Sequence, residues 1–75
     1  MTQLSVAEYD ELERAIIDGR RIAVFRRGTE YLVIPRALRM RDGDEVIEAI
    51  HPTTGEEIRF AISELSSVAV VKDRK

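Results

Sequence analysis

The chain lacks cysteine, tryptophan and asparagine entirely, and carries one histidine, two prolines and four aromatic residues in 75 positions. Without cysteine there is no disulfide, no thiolate nucleophile and no zinc–thiolate site, which fits a reducing cytoplasm. The lone His51 excludes a histidine pair and the HExxH spacing of a zinc hydrolase, so no metal is expected. No apolar run approaches the roughly 20 residues of a membrane span. The start Met1-Thr2-Gln3-Leu4-Ser5, continuing to Arg14, has neither the basic nor the apolar region of a secretion signal. The expectation is a soluble cytoplasmic protein without a membrane partner.

Glycine-rich phosphate loops are also missing. Asp42-Gly43-Asp44 has one glycine between two acids, which would repel a phosphate, and reads as a turn. Ser63, Ser66 and Ser67 have no base in a recognisable motif. The acidic groups Asp10/Glu11/Glu13, Asp42/Asp44/Glu45 and Glu56/Glu57 fall on a polar helix face and at turns, with nothing apolar around them to raise a pKa. His51 stands beside Pro52 in a turn. These absences point away from an enzyme and from any cofactor.

What is present is a segregation of charge that the formal total of -2 conceals. Residues 1–19 sum to -4 and residues 42–75 to -4, whereas residues 20–41 sum to +6. Seven arginines there (Arg20, Arg21, Arg26, Arg27, Arg36, Arg39 and Arg41) face one carboxylate, Glu30. Such a stripe suits phosphate or carboxylate groups, because each guanidinium offers a fixed fork of donors.

Residues 1–75 read as one domain. A chain this short buries only about 60% of the surface its unfolded form exposes, so self-association is a reasonable supplement to its core. Ser5 as N-cap, Glu8 three residues on, and Leu4 paired with Tyr9 are three helix-start signals in one place. Tyr9, Leu12, Ala15 and Ile16 then recur at helical spacing up to Gly19, which predicts a helix over about 5–18.

After Gly19 the pattern becomes that of strands. Ile22-Ala23-Val24-Phe25 and Tyr31-Leu32-Val33-Ile34 form a hairpin, with Gly28-Thr29 expected as a type II′ turn. Pro35, which has no N–H, predicts a bend or bulge before pairing resumes near Leu38–Arg41. Asp42-Gly43 leads into a third strand over Val46–Ile50. His51–Gly55 is the next turn, and Ile58, Phe60 and Ile62 alternate along a fourth strand whose core face they form. Ser63–Ser67 is expected to be a short turn, Val68–Val71 the last strand, and Lys72–Lys75 a frayed tail.

One helix followed by five short strands predicts an α+β, mainly β fold. The expected architecture is an N-terminal helix on a five-stranded Sm-like, Src-homology-3-like small barrel over about residues 20–72. Three stretches carry a family likeness. Leu12-Glu13-Arg14-Ala15-Ile16-Ile17-Asp18-Gly19-Arg20-Arg21-Ile22 looks like the entry helix and first strand of the WYL domain family, Sm-like barrels of bacterial transcriptional regulators and defence-associated proteins. Pro35-Arg36-Ala37-Leu38 followed by Gly43 is similar to that family's proline-leucine-glycine stretch. Phe60 through Val68 resembles its closing segment. The naming tripeptide falls at Glu45-Val46-Ile47, without Trp or Tyr, and the closing segment's ligand-binding arginines correspond to Ala61 and Glu64. The resemblance implies a regulatory binding module.

The candidate binding residues are Arg26, Arg27, Arg36, Arg39 and Arg41. Alternation sets Ala37, Arg39 and Arg41 on one strand face, while Arg26 and Arg27 flank the first turn. Two functions follow. In the first, the arginines contact nucleic acid. In the second, the barrel is a homo-oligomeric or protein-interaction scaffold using an exposed strand edge and complementary charged surfaces, with Arg41 paired to Glu45 or Glu48 across the Asp42-Gly43 hairpin and other arginines paired to acids of the helix.

Overall fold

The computed structural model describes residues 4–71. It has one helix, α1 (Val6–Asp18), and five antiparallel strands: β1 (Ile22–Arg26), β2 (Thr29–Arg41), β3 (Asp44–Ile50), β4 (Glu57–Ala61) and β5 (Leu65–Val70). A single 3₁₀ turn, Ile62–Glu64, joins β4 to β5. The strands lie in the order β4-β3-β2-β1-β5. The fold is thus α+β and mainly β. β4 and β5 end the sheet as two unpaired edges, so the expected closure is not made by hydrogen bonding between them. No helix among the described residues is long and apolar enough to cross a membrane. The expected Lys72–Lys75 tail lies outside the described residues.

The helix begins as its sequence dictates. The Ser5 hydroxyl accepts from the Glu8 N–H at 3.1 Å, and the Glu8 carboxylate accepts from the Ser5 N–H at 2.9 Å. Leu4 is buried just before this cap, and Tyr9 packs against the same cluster. At the far end Gly19 turns left-handed and donates its N–H to the Ala15 carbonyl.

The first two hairpin turns are of one kind. Asp42 and Gly43 both have positive φ, 53° and 82°, between the paired residues Arg41 and Asp44. Arg27 and Gly28 repeat this at 52° and 78°, between Arg26 and Thr29. The first turn is therefore centred one residue earlier than Gly28-Thr29, with type I′ rather than type II′ geometry. Pairing of Arg26 with Thr29 extends β1 by one residue and pushes Arg27 into the left-handed region. The last strand also starts early, at Leu65. Ser66 donates its hydroxyl to the Phe25 carbonyl at 3.2 Å, so polar residues that suggest a turn are held in β5.

Pro35 does what its missing N–H requires. The β2–β3 register shifts between Pro35 and Ala37, and β2 continues to Arg41 as one bulged strand. Its first half pairs with β1 and its second with β3, which curls the sheet around a core of Leu12, Ile22, Val24, Val33, Ile47, Phe60, Ile62 and Leu65.

Helix α1 closes this core and also guards one edge. The Val71 N–H donates to the Arg21 carbonyl, so the alternation of an antiparallel ladder turns the Val68 N–H away from β1. That N–H meets the other oxygen of Glu8 at 3.3 Å. The Glu8 carboxyl is held below its ordinary range chiefly by the Ser5 N–H; desolvation opposes this, and the Val68 N–H and the Ser5 hydroxyl add to the lowering. Because the folded pKa is lowered, this stabilisation is complete above the ordinary glutamate range and is lost as pH falls through the lowered value. Thermal melts between about pH 7 and pH 3 should show the Glu8→Gln variant losing less stability on acidification than the parent. Parallel curves would contradict the double role of Glu8.

Candidate functional site

The candidate arginines separate into two groups on opposite faces of the sheet. Arg26 lies at the end of β1, where the β1–β5 register shifts, and its guanidinium carbon sits 5.1 Å from the Tyr31 ring centre and 5.3 Å from that of Phe60. It donates to the Tyr31 hydroxyl at 3.4 Å and pairs with Glu64 at 3.6 Å. Arg26 is thus a half-buried cation held between two aromatic faces and a carboxylate, an arrangement that stabilises packing more than it offers a free charge. Arg27 stands next to it, exposed at the turn.

The second group lies on the outer face of β2, β3 and β4. Register places Arg39 opposite Val46, Arg41 opposite Asp44, and Glu48 opposite both Ala37 and Arg59. Glu48 is its centre: Arg39 donates to one oxygen at 2.9 Å, and Arg59 lies 3.8 Å from the other. The Glu48 carboxyl is held below its ordinary range, first by the Arg39 hydrogen bond and then by the charges of Arg39, Arg59 and Arg41, against desolvation. Arg36, displaced at the bulge, lines a groove of about 220 Å³ with Glu48, Ile50, Glu57, Ile58 and Arg59. The expected alternation of Ala37, Arg39 and Arg41 on one face is present. The pair expected of Arg41 is made instead by Arg39 and Arg59 on Glu48, while Glu45 accepts from the Tyr9 hydroxyl.

Arg27, Arg36 and Arg41 make no ion pair with any described residue, whereas Arg26 and Arg39 do. Arg59 belongs to the outer-face group although it lies outside the arginine-rich segment. Its position opposite Glu48 follows from the β3–β4 register, eleven residues across a hairpin, and the alternation of Ile58, Phe60 and Ile62 is the sequence signal that puts it on the wet face.

Beside this face lies the β4 edge. The His51 N–H donates to the Glu56 carbonyl at 2.9 Å, and the register runs on from Ile50 opposite Glu57. Alternation then makes Ala49/Ile58 and Ile47/Phe60 the hydrogen-bonded pairs. The backbone N–H and C=O groups of Glu57 and Arg59 and the N–H of Ala61 point outward, where no described residue meets them, while the Ala61 carbonyl opens the 3₁₀ turn. One edge of the sheet is covered by α1, and the other is open.

Among the described residues no three His, Asp or Glu side chains gather as a metal would need. No family model matches the chain, and a search of curated proteins finds no match.

Proposed function

We propose that this protein is a non-enzymatic interaction module, a small Sm-like barrel that takes up an extended protein segment along its open β4 edge. The strand order, the bulged β2 and the 3₁₀ link between β4 and β5 support the barrel. The WYL likeness of residues 12–71 supports a regulatory setting, with the family's ligand-sensing role weakened by Ala61 and Glu64 where it places arginines. The observation that carries the reading is the asymmetry of the edges: Val68 of β5 is satisfied by Glu8, while Glu57 and Arg59 of β4 keep their outward backbone groups free. Strand addition uses such groups for affinity and the flanking side chains for specificity.

A displayed library of random peptides tests it. Extended sequences with alternating charge should be enriched, and Arg59→Pro, which removes an outward N–H without touching the β3 ladder, should abolish their binding. The nucleic-acid reading draws on the unpaired Arg27, Arg36 and Arg41. Fluorescence anisotropy with labelled single strands would favour it if binding appeared at low salt, fell by roughly 0.7 log units per log unit of salt for each phosphate contacted, and vanished in the Arg36→Glu/Arg41→Glu variant.

A further inference from the structure

The open edge has a charge pattern complementary to itself. Along its outer face β4 reads Glu57, Arg59, Ala61. When two copies of one strand run antiparallel about a two-fold axis, the axis fixes which residues meet. An axis at Glu57 would set that carboxylate against its own copy, and an axis at Arg59 would set guanidinium against guanidinium. An axis at Ile58 sets Glu57 of each chain opposite Arg59 of the other, twice. In that register the outward N–H and C=O groups of Glu57 and Arg59 also face one another as hydrogen-bonded pairs.

Resting on the open-edge reading above, we propose that the occupant of β4 is a second copy of this chain, added antiparallel about an axis at Ile58 so that two sheets become one. The surroundings fit this register. Glu57 makes no ion pair with any described residue. Arg59 is 54% exposed and holds Glu48 at only 3.8 Å, while Arg39 holds the same carboxylate at 2.9 Å. Arg59 is therefore free to share its charge, and the dimer continues a ladder of alternating sign: Arg39, Glu48, Arg59, then Glu57 of the second copy. Ile58 is half-buried and meets its own copy on the inner face in a close non-hydrogen-bonded pair. Head-to-tail growth from β4 onto β5 is opposed, because α1 lies over β5 and Glu8 already takes the Val68 N–H. The assembly stops at two.

Sedimentation equilibrium between about 1 µM and 1 mM suits a contact smaller than a standard interface. The parent should move from 8.6 kDa toward twice that mass. Glu57→Arg and Arg59→Glu should each weaken association by about tenfold or more. An equimolar mixture of the two variants should associate again, since each then presents the charges the other needs. Glu57 has no partner to lose, so Glu57→Arg alone decides the matter should Arg59→Glu fail to fold. A dimer indifferent to charge reversal, or a monomer throughout, overturns the proposal. A monomer that still selects strand peptides overturns the second copy alone, and one that selects none overturns the open-edge reading as well.

Discussion

Phe60→Ala is expected to lower stability by about 3–5 kcal/mol, the range for deleting a fully buried aromatic ring. Phe60 has no exposed surface, tilts against Tyr31 at 5.3 Å between ring centres, and carries the Arg26 guanidinium over its face. Its loss would leave a cavity on the inner side of β4 and remove one of the two rings that hold Arg26. A domain of this size has a margin of roughly 4–11 kcal/mol at about 0.05–0.15 kcal/mol per residue, so much of it would be gone. Arg59→Ala, one residue away on the outer face, should stay within about 1 kcal/mol, because Arg39 still holds Glu48. Urea denaturation followed by circular dichroism compares the two. Equal losses would mean that β4 is out of register by one residue.

Leu12→Ala is the second large effect, at about 2–5 kcal/mol. Leu12 is fully buried and, with Ala15, anchors the inner face of α1, while Ile17 is 81% exposed. Ile17→Ala should therefore change stability by no more than about 0.5 kcal/mol. The Leu12 variant should also differ in kind. A loosened α1 draws Glu8 from Val68 and uncovers the β5 edge, so light scattering should rise at concentrations where the Ile17 variant remains clear. A helix that melts without added scattering would show that α1 packs on the core but does not guard the edge.

These features were unequally legible in the sequence. The capping box of Ser5 and Glu8 and the Asp42-Gly43 turn depend on residues a few positions apart, and local chemistry settles them. Local chemistry centres the first turn on Gly28-Thr29, one residue late, because a glycine announces a positive φ without saying which neighbour shares it. Pairing of Arg26 with Thr29 decides that. The start of β5 was hidden for a similar reason: Ser66 reads as a turn former until the Phe25 carbonyl, forty-one positions away, takes its hydroxyl.

The candidate site was legible as composition but not as geometry. A stripe of arginines is visible to any count of charge, yet the separation of Arg26 from Arg39 onto opposite faces depends on the register shift between Pro35 and Ala37, which reverses the alternation along β2. The centring of Arg39 and Arg59 on Glu48 depends on two registers at once. The asymmetry of the edges was the least visible, since it arises from strand order and from one carboxylate reaching sixty residues along the chain.

Amide hydrogen exchange read residue by residue in dilute protein tests that asymmetry most directly. An open β4 predicts that Glu57, Arg59 and Ala61 exchange near the rate of an unstructured peptide while Ile58 and Phe60 are protected, and that Val68 is protected in the parent but not in a Glu8→Ala variant. Protection of Arg59 equal to that of Phe60 at dilutions where the chain is a monomer, or a Val68 indifferent to the loss of Glu8, would contradict it.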